Sequence, residues 1–242
     1  MGKASTLDIV GSVVDVKTLN ESEITAMFDL MSEHYDNTNY DRFKKDLFEK
    51  SWIVLLRDIE KNIRGFTTLQ MLDMTVDNIT VKGVFSGDTI IHREYWGSME
   101  LHKVWVRFVL SLAHSNEDIP FYWFLICKGY KTYRFLPVYF HNFYPNYKTH
   151  TPLFEKKLMD HLGKTKFKDN YDYNTGVIKF NGERDYLKTG IADITEPRMK
   201  DPDIGYFMKS NPGYFKGDEL ICIARVSEDN LKPFVHTKLL KG

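Results

Sequence analysis

Apolar positions in the first third of the chain predict one strand followed by two helices. Residues 13–19 alternate between apolar and polar side chains, as a strand with one buried face does. Ile24 and Met27 then recur at helical spacing behind Ser22, whose hydroxyl can cap a helix. A second helical pattern surrounds Phe43, with basic residues on its opposite face. Residues 1–12 are interpreted as an N-terminal lead-in.

Three strand patterns follow these helices. Residues 52–56 are a continuous apolar run of strand length, which is typical of a strand covered on both faces. Residues 63–74 and 79–85 continue as strands, with short turns between the runs. Because parallel neighbours need a long crossover and antiparallel neighbours do not, we predict an antiparallel meander.

The second half begins with a broadly apolar helix and a buried strand. Residues 99–114 carry apolar side chains over a face wide enough to require burial against the sheet. Residues 121–127 form an apolar run reached through that helix, so we expect a strand parallel to its neighbour. A short helix at 131–136, a helix at 153–162 and a strand at 220–226 complete the pattern.

These elements predict an α/β (α+β) fold with a mixed, mostly antiparallel central sheet flanked by helices. We expect residues 13–148 to form the main domain, and residues 149–242 to be a C-terminal extension packed on the same domain. With 242 residues and 43% hydrophobic content, the chain is long enough to bury a substantial core.

Composition removes several function classes. Lysine plus arginine and aspartate plus glutamate number 33 each, so net charge gives no argument for nucleic acid or an anionic membrane. Cys127 and Cys222 lie in apolar runs, which indicates neither a disulfide framework nor a metal site. No run is long enough to span a membrane, and we expect a soluble, cytoplasmic protein. The first six residues match the pattern for myristoylation at Gly2, without the polybasic segment that stable anchoring requires.

The clearest chemical pattern lies where the strand ending in Thr89, Ile90 and Ile91 runs through residues 92–98 into the apolar helix. Together with the order of elements over residues 13–147, this strand, turn and helix resemble the GNAT superfamily of acyl-CoA-dependent N-acyltransferases. Within that superfamily, we expect the chain to resemble relatives of the N-acyl amino acid synthase type.

The resemblance implies a binding site for an acyl thioester. In that family the turn and the helix N-terminus hold the coenzyme diphosphate, since backbone N–H groups and the helix dipole favour an anion. By position, Gly97, Ser98 and Met99 would form this turn. The backbone amides that would polarise the thioester carbonyl are those of Ile90, Ile91 and His92.

The turn departs from the family pattern, which repeats glycine or alanine at alternate positions. Met99 and Leu101 follow Gly97 here, and Glu100 adds a carboxylate to the first turn of the helix. Such a carboxylate stabilises an empty helix N-terminus by about 0.3–1 kcal/mol and repels a diphosphate. Two alternatives therefore stay open: acyl-phosphopantetheine on an acyl carrier protein as the donor, or a non-catalytic GNAT-like module that binds a lipid-like ligand or a protein partner.

Three residues are candidates for proton transfer. Tyr133 resembles the family tyrosine that protonates the departing thiolate, although packing in an aromatic helix also explains it. His92 and Asp88 flank the strand end and are candidate bases for the amine. The sequence favours a bulge or turn with a solvated carboxylate for Asp88, and an exposed loop position for His92. Cys127 is interpreted as an inert strand cysteine, since no paired histidine is evident.

Residues 121–154 contain no aspartate or glutamate and are rich in aromatic and basic side chains. This tract is compatible with single-stranded nucleic acid, with an acyl channel whose cations, Lys131 and Arg134, meet phosphopantetheine, or with an ordinary core. We expect no nucleic acid and no metal. The sequence thus predicts an acyltransferase that moves an acyl group from acyl-CoA or an acyl carrier protein to a small-molecule amine.

Overall fold

The computed structural model describes residues 8–241, and the acylation pattern at Gly2 lies outside these residues. Within them the chain forms ten β-strands and eight α-helices. The strands are β1 (Ile9–Asp15), β2 (Tyr35–Asp36), β3 (Trp52–Asp58), β4 (Ile63–Val76), β5 (Ile79–Ile91), β6 (Phe121–Cys127), β7 (Tyr171–Asp172), β8 (Val177–Ile178), β9 (Tyr186–Leu187) and β10 (Glu219–Arg225). The helices are α1 (Glu21–His34), α2 (Tyr40–Leu47), α3 (Glu100–His114), α4 (Tyr130–Tyr133), α5 (Phe135–Tyr139), α6 (Leu153–Leu162), α7 (Glu196–Met199) and α8 (Pro202–Ser210).

Eight of these strands form one sheet in the order β1-β3-β4-β5-β6-β10-β8-β7. The β5–β6 pair is parallel and the other neighbours are antiparallel. The short strands β2 and β9 pair with each other, outside this sheet. The predicted fold class, the meander of β3, β4 and β5, and the parallel crossover through α3 are confirmed.

Boundaries near the start of the chain differ from the prediction. The first strand begins at Ile9, inside the predicted lead-in, and ends at Asp15 because a 3₁₀ turn over Val16–Thr18 follows, with the Asp15 carboxylate accepting from the Lys17 N–H. The cap of α1 is Asn20, which forms a reciprocal capping box with Glu23, so the prediction of Ser22 is wrong.

The sequence predicted that the helix of residues 153–162 ends at Leu162, but the helical backbone continues beyond Gly163. A π-helical segment continues over Gly163–Phe167, and the left-handed backbone of Lys168 (φ 48°) follows it. This continuation brings Lys166 and Phe167 to the edge of a cavity described below.

The sheet is covered on both faces. On one face, α1 and α2 pack over β3 and β4, with Met27, Phe43 and Phe66 in their shared core. On the same face, α6 packs over β4 and β10, and Phe85 and Leu158 belong to their shared core. The opposite face is covered by α3, α4, α5, α8 and the last turns of the chain. The two groups of helices on the first face leave a gap between them, and the site lies there.

The C-terminal residues contribute an inner strand of the sheet. β10 lies between β6 and β8, and pairs with β6 from Leu220 with Cys127 to Arg225 with Tyr122. The predicted division of the chain at residue 148 stays a prediction. Among residues 8–241, no helix is long and apolar enough to cross a membrane.

Candidate functional site

The site is centred where the two parallel strands separate. β5 and β6 pair from Lys82 with Phe121 to Ser86 with Leu125. Beyond Ser86, β5 continues to Ile91 beside β4, while β6 continues beside β10. The separation opens a cleft between the backbone edges of β5 and β6.

A β-bulge lies at the point of separation. Thr67 pairs with Thr89 and Leu69 with Ser86, so both Gly87 and Asp88 stand opposite the single residue Thr68. Glycine suits this position because a Cβ on Gly87 would lie 2.6 Å from the Thr68 hydroxyl. The extra residue bends β5 away from β6 and leaves Asp88 at the cleft.

The backbone amides of β5 face the cleft at alternate residues. The His92 N–H donates to the Arg64 carbonyl of β4 at 2.8 Å. Because N–H groups alternate in an antiparallel ladder, the Ile90 amide also faces β4, while those of Thr89 and Ile91 face the cleft. The prediction that the amides of Ile90 and His92 face the thioester is therefore wrong. The sequence analysis also did not identify the Thr89 amide, which faces the cleft. The Ile91 carbonyl accepts a hydrogen bond from the Trp96 indole at 2.7 Å.

Three cavities meet at the cleft, and both Thr89 and Thr132 line all three. The main cavity, on the α1–α2 face, encloses about 890 Å³ including space open to solvent. The apolar cavity, on the α3 face, encloses about 340 Å³ on the same measure and is lined by Leu101, Trp105, Trp123 and Phe135. The Trp96 cavity, about 470 Å³, lies between Trp96, Lys131 and Ala192.

Asp88 is the unpartnered acid of the main cavity. Its side chain makes no hydrogen bond or ion pair with any described residue, and it is half-buried. Burial, reinforced by the charges of Asp46 and Asp185, raises the pKa of Asp88 to about 7. The bulge that the sequence indicated at Asp88 is confirmed, but its carboxylate is half-buried rather than fully solvated. A carboxylate with this pKa can accept a proton near neutral pH.

A buried ion cluster forms one wall of the main cavity. Lys128 contacts both Asp185 and Glu219, and all three side chains are nearly buried. Burial alone would lower the pKa of Lys128, but the two carboxylates outweigh it and hold that pKa above its ordinary value. Burial raises the pKa of Glu219, whereas Lys128 holds that of Asp185 below its usual range. The ammonium group of Lys128 is thus already paired with these two carboxylates.

The apolar cavity is closed by aromatic side chains. Trp105 and Trp123 both donate to the Ser86 hydroxyl, at 3.4 Å and 2.9 Å. His102 hydrogen-bonds Tyr139, and burial lowers the pKa of His102 to about 4, so its ring is neutral at pH 7. The cavity therefore suits an uncharged, apolar group.

The predicted diphosphate turn is open. A Cβ on Gly97 would have no atom within 4 Å, and Met99 is exposed. The Ser98 hydroxyl accepts from the Glu100 N–H at 3.2 Å. The Glu100 carboxylate reaches back to accept from the Gly11 N–H of β1 at 3.0 Å, and this contact fixes its orientation.

The two predicted cations have separate environments. Lys131 lies over the Trp96 ring, 3.7 Å from its centroid, and lines the Trp96 cavity. Burial lowers the pKa of Lys131. Arg134 is half-exposed and forms an ion pair with Asp201 at 3.5 Å, outside the three cavities.

The structure does not bring Tyr133 and His92 to the cavities. Tyr133 is fully buried, donates its hydroxyl to the Pro145 carbonyl at 2.8 Å and packs on Phe207; burial raises its pKa. Its contacts agree with the packing interpretation. The His92 ring lies 3.8 Å from Glu33, beside the 3₁₀ turn that follows β5. Cys127 is buried, and burial raises the pKa of its thiol, as expected for an inert cysteine.

Sequence reasoning missed Thr132. This half-buried residue of α4 directly precedes Tyr133, and its hydroxyl makes no hydrogen bond with any residue of the described range. No sequence signal distinguishes it, because only the packing of α4 against the cleft decides which residue of that helix faces the cavities. Groups of side chains suited to hold a metal ion are absent from residues 8–241.

Comparisons with known proteins find similarity in fold. No protein-family model matches the chain, and no curated protein matches its sequence. A protein from Enterococcus faecalis, described as a probable N-acyltransferase, shares 15% identity at a TM-score of 0.42, over 66% of this chain and 45% of that one. The N-myristoyltransferase of Saccharomyces cerevisiae, solved with bound myristoyl-CoA, shares 15% identity at 0.38, over 53% and 32%. A GNAT family N-acetyltransferase from Escherichia coli, solved with CoA, shares 13% identity at 0.39, over 56% and 71%.

These solved structures include N-acyltransferases, GNAT enzymes among them, each at a TM-score below 0.5. The matched region covers less than half of the first two of those chains. At such identities and TM-scores, the similarity does not extend to a reaction or a substrate. The relation to N-acyl amino acid synthases stays a prediction.

Proposed function

We propose that this chain transfers an acyl group from a thioester donor to an amine. The observation that carries the proposal is the bulge where β5 leaves β6, with Asp88 in the main cavity and outward-facing amides at Thr89 and Ile91. A cleft with free backbone donors beside a carboxylate of pKa about 7 suits acyl transfer, which needs both an oxyanion donor and a base.

The proposed reaction uses the cavities on the two faces of the sheet. The acyl group lies in the apolar cavity, the thioester carbonyl lies in the cleft, and the amine enters from the main cavity. The amine nitrogen attacks the carbonyl carbon, forming a C–N bond as the C–S bond breaks. Asp88 accepts the proton that the amine loses, while an amide of Thr89 or Ile91 donates to the carbonyl oxygen.

The departing sulfur leaves as a thiolate and takes up a proton. We assign Thr132 the role of hydrogen-bond donor to this sulfur, because its hydroxyl borders all three cavities and has no protein partner. Tyr133 suits this role less well, because its hydroxyl donates to the Pro145 carbonyl.

The remaining part of the donor would lie toward the Trp96 cavity. Lys131 lines this cavity, the open turn from Gly97 to Met99 directly follows Trp96 in the chain, and both suit an anionic group. Both candidate donors, acyl-CoA and an acyl carrier protein bearing phosphopantetheine, contain a phosphate group that this region would bind.

The test is turnover by the purified chain. Acyl-CoA thioesters of increasing chain length, and acyl carrier protein thioesters, are each incubated with a mixture of amines, and thiol release and N-acyl products are measured. We expect amine-dependent thiol release with an equal amount of amide product. If no thioester of either type binds or reacts, the proposal is wrong. Binding without thiol release would instead support the non-catalytic module.

A further inference from the structure

We propose that the acceptor is an amine that also carries an anionic group, a carboxylate or a phosphate, and that Arg42 and Arg184 bind this group in the main cavity. The inference rests on the proposed function, since it specifies the second substrate of the same site. It follows from the charges that line the cavity and from which of them have partners.

Four cationic and four acidic side chains line the main cavity, and most of them are paired. The acids are Asp46, Asp88, Asp185 and Glu219, and the cations are Arg42, Lys128, Lys166 and Arg184. Lys128 is shared between Asp185 and Glu219, Asp46 is paired with the buried Lys50, and Lys166 is paired with Glu49. Arg42, Arg184 and Asp88 are left without an ion pair among the described residues.

The two arginines keep most of their donors free. The Arg42 guanidinium donates to backbone carbonyls, that of Asn37 at 2.9 Å and that of Glu183 at 3.4 Å. The Arg184 guanidinium lies over the Phe180 ring, 5.1 Å from its centroid, and forms no side-chain hydrogen bond with any residue from 8 to 241. Both side chains are half-buried.

Arginine keeps its charge at any working pH. Arg42 acts electrostatically on Asp185 and Arg184 on Glu219, but neither arginine forms an ion pair with these acids, so donors of both guanidiniums stay available to the anionic group of a ligand. Their planar, forked donors match the oxygen atoms of carboxylates and phosphates. Asp88 supplies the opposite charge in the same cavity. The unpaired set therefore complements a molecule that has one anionic group and one amine, whereas a simple alkyl amine would leave both arginines unpaired.

The test compares acceptors with and without the anionic group. α-Amino acids are compared with their amides, and aminoalkyl phosphates with the corresponding amino alcohols, at a saturating thioester concentration. We expect the anionic member of at least one pair to have a kcat/KM about 10- to 100-fold higher than its neutral counterpart, as the loss of a charge-assisted hydrogen bond would predict. Equal use of both members of every pair would overturn the proposal.

Variants then assign the effect to the two arginines. R42Q and R184Q should each raise the KM of the anionic acceptor about 10-fold or more, with the KM of the thioester and the kcat/KM of the neutral acceptor within about 2-fold of the parent. K45Q is the matched control, because Lys45 is exposed on α2 and lines none of the cavities. An increase in the KM of the thioester alone would show that the arginines bind the donor, and would contradict the inference.

Donor-free binding separates this inference from the proposed function. Titration of the anionic and neutral amines into the protein, followed by calorimetry, needs no turnover. If no thioester reacts but anionic amines bind and R42Q abolishes binding, the anion site stands and the acyl transfer fails. If thioesters react while acid and amide bind equally, the acyl transfer stands and the anion site fails.

Discussion

Asp88 and His102 lie on opposite faces of the sheet, and burial moves their pKa values in opposite directions. The pKa of Asp88 is raised to about 7, and that of His102 is lowered to about 4. In both cases the neutral form is favoured because water is withheld from the charge. Near neutral pH this leaves a carboxyl group that exchanges its proton in the main cavity and an uncharged ring in the apolar cavity.

The low pKa of His102 makes folding stability depend on pH. The unfolded chain protonates this histidine near pH 6.5, but the folded chain protonates it only near pH 4. The unfolded state therefore binds more protons between these values, and the contribution of His102 falls by about 3 kcal/mol as the pH drops from 7 to 4. As the pH falls from 7 to 4, the parent should therefore lose unfolding free energy relative to H102N. Urea unfolding of both proteins measures this change.

The matched control for this measurement is H114N, since His114 is 62% exposed on the same helix. Its stability difference from the parent, measured over the same pH range, is the reference for replacing an exposed histidine. The opposite slope contributed by Asp88 is common to all three proteins and cancels in the differences. A difference for H102N that is independent of pH would contradict the burial of a neutral ring.

Thr132 and Tyr133 are adjacent hydroxyl residues with different expected roles. T132V should lower kcat about 10- to 100-fold, since the departing sulfur loses its hydrogen-bond donor. Y133F should leave kcat nearly unchanged and reduce the free energy of unfolding by about 1 kcal/mol, because the Pro145 carbonyl loses its partner. Steady-state kinetics and chemical unfolding measure the two effects. The reverse pattern would favour Tyr133 as the acid.

At the scale of elements, the bulge of β5 places Asp88 in the site and leaves no room for a side chain at Gly87. A Cβ on Gly87 would lie 2.6 Å from the Thr68 hydroxyl and 3.0 Å from the Lys50 side chain. We expect G87A to cost about 1–3 kcal/mol of unfolding free energy and to lower activity, since the bulge must shift. G97A is the control; with no atom within 4 Å of its Cβ, it should stay within about 0.5 kcal/mol of the parent. Equal effects would contradict this account of the bulge.

The elements that sequence periodicity predicted well are those with long, one-sided apolar patterns. α3 and β6 lie where the pattern indicated, and short turns identified the meander of β3, β4 and β5. The continuation of β5 through its bulge was harder to predict, because Gly87 and Asp88 also suit a turn that would end the strand. The two-residue strands β2 and β9 depend on pairing across the chain and have no periodicity of their own.

At the scale of the whole molecule, the site depends on segments that are far apart in sequence. Asp88 was a candidate from its position at the strand end, but its raised pKa arises from burial beside Asp46 and Asp185, which local sequence does not reveal. The wall of Lys128, Asp185 and Glu219 joins β6 with the C-terminal part of the chain. The orientation of amides in the cleft likewise required the register of β4 and β5.

The inner position of β10 predicts that the C-terminal residues are required for folding. Removal of residues 149–242 would leave β6 as an unpaired edge and expose the apolar side chains that β10 and α6 cover. We expect the truncated chain to lack a cooperative thermal transition, whereas the full chain has one. Circular dichroism on heating measures this. A truncated chain that unfolds cooperatively would show that residues 1–148 fold alone.

The most direct test of acyl transfer with Asp88 as the base is the pH dependence of thiol release by the parent and D88N. The parent should lose kcat/KM as the pH falls through about 7, because Asp88 is then protonated. D88N should be about 10²- to 10⁴-fold slower, without that ionisation, while still binding the thioester. Equal rates and the same pH profile in the two proteins would contradict the proposed mechanism.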